Sequence, residues 1–188
     1  IEQGGVLDQE RQEIGVVTAI FAIRRYRVVI AGTANHAGST PMYLRDDALV
    51  KAAALVTRLP ELVREIDGEM VGTIGRLEVS PGLVNTIPGR VELELELRAI
   101  REETLERAYT RLTEEFADCI ASIAPTMVQR AYPMDETVRA AIWQAADALG
   151  LKTMDIASGA AHDTMALAQI TRGEPNCLLL VEFAGEEE

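Results

Sequence analysis

Between Arg90 and Arg98 the chain reads Arg-Val-Glu-Leu-Glu-Leu-Glu-Leu-Arg, an unbroken alternation of apolar and charged residues. Successive side chains of a strand point to opposite faces. Val91, Leu93, Leu95 and Leu97 therefore face a core, while Glu92, Glu94 and Glu96 face water. The chain must contain a sheet that is covered on that one face.

The flanking segments supply the cover. From Arg45 to Ile66, residues Leu49, Ala52, Val56, Leu59, Val63 and Ile66 recur at helical spacing, with Pro60 expected to kink or divide the helix. A second helix, Glu102 to Ile123, carries Leu105, Ala108, Leu112, Phe116, Cys119 and Ile123 on one stripe before Pro125. Strands are predicted at Ile14 to Ala22, Arg24 to Gly32, Met70 to Val79 and Thr126 to Tyr132, with a loop at Ser80 to Gly89. From Tyr26 onward the order is strand, helix, strand, strand, helix, strand, the ferredoxin-like split βαβ arrangement. Leu49, Val56, Leu105, Leu112 and Phe116 should then be buried.

After Pro133 a new unit begins. A helix at Glu136 to Leu149 is closed by Gly150, and Thr153 to Ile156 reads as a strand. Beyond lie a loop at Ser158 to Asp163, a short helix at Thr164 to Ile170 and an apolar strand at Cys177 to Val181. The expected fold is thus α/β (α+β), a ferredoxin-like domain with a partial α/β segment. Its divisions are 1–22, 23–132 and 133–188.

Charge and composition limit the function. Eighteen basic against 30 acidic residues give a net charge of −12, and 48% of the 188 residues are hydrophobic. The chain can build a core. A nucleic-acid or anionic-membrane binder needs a basic face, so no nucleic acid and no membrane is expected as partner. Cys119 and Cys177 are too few for a disulfide framework, which suits a cytoplasmic protein. The longest apolar stretch, Val16 to Ile23, is too short to span a bilayer, and no signal peptide is expected.

The chemistry-bearing residues are few. His36 lies in a loop, Asn35-His36-Ala37-Gly38-Ser39-Thr40-Pro41, where it reads either as loop polarity with Ser39 or Thr40 capping a helix or as a functional group. His162 stands in Ser158-Gly159-Ala160-Ala161-His162-Asp163, either incidental to a capped loop or close to a ligand. Neither His-x-x-x-His nor Cys-x-x-Cys occurs, so no metal ligands are assigned. Gly-x-Ser-x-Gly and a phosphate loop are also missing. Asn85 reads as a turn residue. Arg98 reads either as a solvated partner of Glu96 or Glu94 or, with Asn85, as a carboxylate clamp.

Seven motifs stand in one order: Ile1-Glu2-Gln3-Gly4; Gly15-Val16-Val17-Thr18; Asn35 to Met42; Arg45-Asp46-Asp47-Ala48; Val71-Gly72-Thr73 with Gly75-Arg76-Leu77-Glu78; Val84-Asn85 with Ile87-Pro88-Gly89; and Ser158-Gly159-Ala160 with His162-Asp163. Together they resemble N-carbamoyl-L-amino-acid hydrolases and allantoate amidohydrolases, a branch of the dinuclear zinc aminoacylase and carboxypeptidase superfamily. The resemblance implies a lid from about Ile23 to Tyr132 that also makes a homodimer. His36 would be a catalytic lid group donating to the substrate's developing charge, commonly in the partner subunit's site. Asn85, Arg98, Gln3 and His162 would bind substrate, Arg98 holding its carboxylate. The small-molecule substrate would be an N-carbamoyl-L-amino acid or an allantoate-like ureido acid.

Zinc or another divalent metal would serve the full-length enzyme. The family's metal-ligand motifs do not occur in these 188 residues, and Ala161 replaces a usual Gly. The chain is therefore expected to be a fragment, incomplete for catalysis and without tightly bound metal by itself. The alternative is a non-catalytic dimerisation or small-molecule-binding module on a ferredoxin-like fold.

Overall fold

The computed structural model describes residues 4–161 and 181–183. These divide into two units, Ile23–Gln129 and a second made from the chain on either side of it.

The flanking unit holds α1 (Gly4–Gln9), β1 (Ile14–Ile20), β6 (Tyr132–Pro133), α4 (Glu136–Ala148), β7 (Thr153–Ser158) and β8 (Val181–Phe183). The inner unit holds β2 (Ala22–Ala31), α2 (Ala48–Ile66), β3 (Val71–Ser80), β4 (Arg90–Ala99), α3 (Glu102–Glu115) and β5 (Ile120–Gln129). A short 3₁₀ turn, Met42–Leu44, precedes α2.

In the inner unit the sheet order is β3-β4-β2-β5, the ferredoxin-like order. On β4, Val91, Leu93, Leu95, Leu97 and Ala99 are buried beneath the helices. Tyr26, Val28 and Ile30 of β2 join them. The other face carries Arg25, Arg27 and Arg76 paired with Glu96, Glu92 and Glu94 respectively.

The phase of α2 differs from the expected stripe. Ala48, Ala52, Leu55, Leu59, Leu62 and Val63 are its buried side, whereas Leu49 (37%) and Val56 (38%) are exposed. This helix has apolar residues on more than one side, and Asp47 sets its start by accepting from the Leu49 and Val50 amides at 2.8 and 3.3 Å. Nor does Pro60 divide it. Pro60 and Val56 both lie on the exposed side, so the carbonyl deprived of a donor is open to water. Leu105, Leu112 and Phe116 are buried as expected.

Helix α3 stops at Glu115 rather than Ile123. The Cys119 and Ile120 amides turn back to the Phe116 carbonyl, and Ile120 enters a ladder with Ile30. Strand pairing overrides the helical periodicity there. The strand accepts Pro125 because β5 is an edge, and its register shifts between the pairs Met127 with Arg25 and Pro125 with Tyr26.

In the flanking unit β1 is the hub, parallel to β7 and antiparallel to β6 and β8. Leu7, Val17, Ile20, Met134 and Ile156 form its core, with Tyr132 and Met154 packed against them. Because Tyr132 and Pro133 pair with β1, residues 130–132 group with this unit and not with the sheet that ends at Gln129. Helix α4 follows the expected span, capped by Asp135, whose carboxylate accepts from the Val138 amide at 3.0 Å. Gly150 closes it at φ 70°. Among the described residues no helix is long and apolar enough to cross a membrane.

Candidate functional site

Two loops of the inner unit are stitched together at one end of β4. The Gly32 amide donates to the Gly89 carbonyl (2.9 Å), Ile87 to Asn35 (2.8 Å), Ala37 to Asn85 (2.9 Å) and Ala48 to Pro88 (3.0 Å). The approach is so close that a Cβ on Gly89 would sit 2.9 Å from the Ala34 amide nitrogen. Buried Ile87 pins the second loop, while His36 and Asn85 stay exposed. His36 and Thr86 form an isolated antiparallel bridge. His36 and Asn85, which the resemblance gives as lid groups reaching the substrate, are thus brought together, whereas the clamp of Asn85 with Arg98 is not formed within one chain.

The His36 ring is not loose. Its Nδ1 accepts from the amides of Gly38 (3.1 Å) and Ser39 (3.2 Å). An imidazole nitrogen that accepts carries no proton, so in the neutral ring Nε2 is the donor. The His36 amide donates to the Asn35 side chain at 2.8 Å, and Thr40 Oγ1 donates to the His36 carbonyl at 2.8 Å. Arg45 closes the loop from beneath, donating to the carbonyls of Ala37 (2.5 Å) and Thr40 (3.0 Å).

Arg98 lies elsewhere. In the β3–β4 ladder Arg90 pairs with Ser80 and Arg98 with Val71, so Arg98 is at the far end of β4 from the stitched loops. Eight residues of strand at about 3.3 Å each put roughly 26 Å between those ends. Arg98 Nε donates to Glu96 at 2.6 Å, the ordinary pairing its position suggested. Burial raises the Glu96 pKa, but hydrogen bonds from Arg98 and Arg25 outweigh it and hold the carboxyl below its usual range. Gln3 and His162 fall outside the described residues.

Two features were not anticipated. Met42 (76%), Tyr43 (84%) and Leu44 (64%), together with Leu83 and Val84, expose apolar side chains on the segments beside His36. An apolar rim around a polar group is unusual on a solvated surface. The signal was visible in Pro41-Met42-Tyr43-Leu44, a run without charge. The other feature is Arg45, whose position three residues after Met42 gave no hint of its contact with the His36 loop.

Among the described residues no three of His, Cys, Asp and Glu converge as a metal site would require. A shallow depression of about 270 Å³ on the open sheet face is lined by Arg25, Arg76, Glu94 and Glu96, which are already paired with one another.

Residues 18–122 match the family described as "Peptidase dimerisation domain". An N-carbamoyl-L-amino-acid amidohydrolase of Paenarthrobacter aurescens is 41% identical, the match covering 91% of this chain and 43% of that protein. The allantoate amidohydrolase of Bacillus subtilis is 32% identical, with 98% and 46% covered. A hydantoinase/carbamoylase family amidase from Burkholderia ambifaria superposes with a TM-score of 0.85 at 32% identity, covering 90% of this chain and 44% of that one. The chain therefore spans less than half the length of these relatives.

Proposed function

The chain belongs to the peptidase dimerisation-domain family, and from that premise we propose that it is the lid and part of the catalytic body of an amidohydrolase. The proposed reaction is hydrolysis of the carbamoyl C–N bond of an N-carbamoyl-L-amino acid or an allantoate-like ureido acid. Relatives that carry those names support the substrate class. The partial coverage of those relatives supports a chain that is incomplete for catalysis by itself. In the whole cytoplasmic enzyme, zinc or another divalent metal would supply electrophilic activation. The described residues gather no set of donors that fits such an ion. The roles derived below therefore belong to this chain's own groups.

The observation that carries the reading is the presentation of His36. Its Nδ1 is occupied by backbone amides, which leaves Nε2–H as the ring's donor on an exposed loop. A donor held in place suits the oxygen of a carbamoyl group as it gains negative charge on attack. Asn85, tied to the same loop, would orient the ureido group. Arg98 would hold the substrate carboxylate through its fork. Gln3 and His162 would contact substrate from the catalytic side.

Arg98 stands roughly 26 Å of strand from the His36 end, so one small substrate does not reach both within a chain. The reading therefore requires a homodimer, in which His36 and Asn85 of one protomer and Arg98 of the other meet at each site. The exposed apolar rim beside His36 suits a loop that packs against another protein surface.

The test is His36→Ala in the full-length enzyme. It should lower kcat by roughly 100-fold or more, the usual loss for one oxyanion donor, with dimerisation unchanged. Mixing that variant with Arg98→Ala should restore part of the activity, because some mixed dimers regain one site with both groups. A normal kcat in His36→Ala refutes the role, and no rescue despite subunit exchange refutes the shared site.

A further inference from the structure

The His36 loop has little packing to hold its shape. His36, Gly38 and Ser39 are exposed, and Ala37 and Thr40 are only half-buried. Hydrogen bonds must then fix the ring, and they converge on one side chain. Arg45 Nη2 donates to the Ala37 carbonyl and Arg45 Nε to the Thr40 carbonyl. Those two carbonyls bracket Gly38 and Ser39, the residues whose amides hold His36 Nδ1. Thr40 in turn returns to the His36 carbonyl through its hydroxyl at 2.8 Å and its amide at 3.2 Å. Arg45 itself is half-buried, at the end of the 3₁₀ turn that leads toward α2.

From this geometry we propose that Arg45 is a positioning residue, which clamps the 37–40 loop so that His36 is kept as the Nε2–H tautomer with a fixed donor direction. A guanidinium suits the task because its donors form a rigid planar fork that serves two carbonyls at once. A lysine ammonium of similar reach is a point charge on a flexible stem and does not reproduce both bonds. Without the clamp the Gly38 and Ser39 amides swing away, Nδ1 loses its two donors, and the ring is free to populate both tautomers and other rotamers. The consequence for turnover rests on the role proposed for His36, but the tautomer does not.

The experiment separates the two. The chain has only His36 and His162, so ¹⁵N-detected imidazole spectra at pH 8.5, where imidazoles are neutral, are assigned with one His162→Gln variant. Wild-type protein should show His36 with an unprotonated Nδ1 and a protonated Nε2. Arg45→Ala should shift both nitrogens toward averaged values, and Arg45→Lys should fail to restore them. If Arg45→Ala does not fold, Arg45→Lys answers the same question. An unchanged His36 tautomer in a folded Arg45 variant overturns the proposal whatever the activity.

In the full-length enzyme, Arg45→Lys should lower kcat about tenfold with KM within about twofold, a smaller loss than removing the ring. A shifted tautomer with full kcat in both Arg45→Lys and His36→Ala leaves the clamp in place and refutes the catalytic reading instead.

Discussion

Strands β4 and β1 are the central strands of their units, yet they are built for different surroundings. Along β4 the buried residues alternate with half-buried Glu92, Glu94, Glu96 and Arg98, because helices cover one face and ion pairs the other. Along β1 six of seven residues are buried, Val16 and Val17 both completely or nearly so. Its partner β7 is parallel, and parallel pairing goes with cover on both faces. Alternation marks the first case and a buried run rich in β-branched residues the second. The inner unit can therefore leave a charged face open, while the flanking unit has no face of β1 to spare.

Paired substitutions should expose this difference most strongly. Leu95→Ala deletes a core side chain from β4 and should cost about 2 to 5 kcal/mol, whereas Glu94→Ala next to it should stay within about 0.5 kcal/mol. On β1, Val16→Ala and Val17→Ala should each cost about 1.5 to 3 kcal/mol although they point to opposite faces. Denaturant unfolding of the four variants measures all of this. A neutral Val16→Ala would make β1 as one-sided as β4.

Helix caps offer a smaller and more diagnostic comparison. Asp47 and Asp135 perform the same act in different units, each carboxylate accepting from the first-turn amides of its helix. Alanine at either position should cost about 1 kcal/mol. If the units unfold separately, Asp47→Ala moves the transition of the inner unit alone and Asp135→Ala that of the other. Hydrogen exchange of α2 and α4 amides reads each unit directly, and equal loss of protection in both helices from one substitution would join them into a single cooperative body.

The same contrast explains what the sequence made legible. The inner unit is one run of chain whose strands and helices follow one another, so periods of 2 and 3.6 were enough to read its topology. Errors arose where the local period was ambiguous: α2 carries Leu49, Val50 and Val56 outside its buried stripe, and Ile120 and Ile123 continue a helical pattern into a strand. In the flanking unit β1 pairs with β6, β7 and β8, which all follow it across the whole inner unit, and no local pattern reports such pairing. Helix α1, with Leu7 fully buried, has no helical signature in the sequence, because Gly4-Gly5 and a polar run surround its one anchoring residue. Asn35-His36 and Val84-Asn85 were readable as motifs, but their meeting depends on loop stitching and the distance to Arg98 on strand register.

Acid should separate the units by the smallest effect, and its sign follows from where the perturbed carboxylates lie. Among the described residues Glu65, Asp67 and Glu96 are held below their ordinary range, and all three belong to the inner unit. Glu65 is the clearest case. A hydrogen bond from Arg58, reinforced by one from Arg111 on α3, holds its carboxyl at about 2 against an ordinary 4.5. Arg58 also bonds Glu115 at 2.7 Å, so the cluster ties α2 to α3. Between those two values the unfolded chain binds a proton that the folded chain does not, so stability present above about pH 4.5 is lost as pH falls toward 2. The cluster is solvent-exposed, which keeps the contribution small and makes it fade with added salt. Acidification from pH 5 to 3 should therefore lower the unfolding midpoint of the inner unit more than that of its neighbour. Glu65→Gln should flatten that slope by lowering the midpoint at pH 7 slightly, toward the value that wild type reaches in acid. Equal acid slopes in the two units, or a Glu65→Gln slope parallel to wild type, would show that the helix-to-helix ion pairs do not set the acid response.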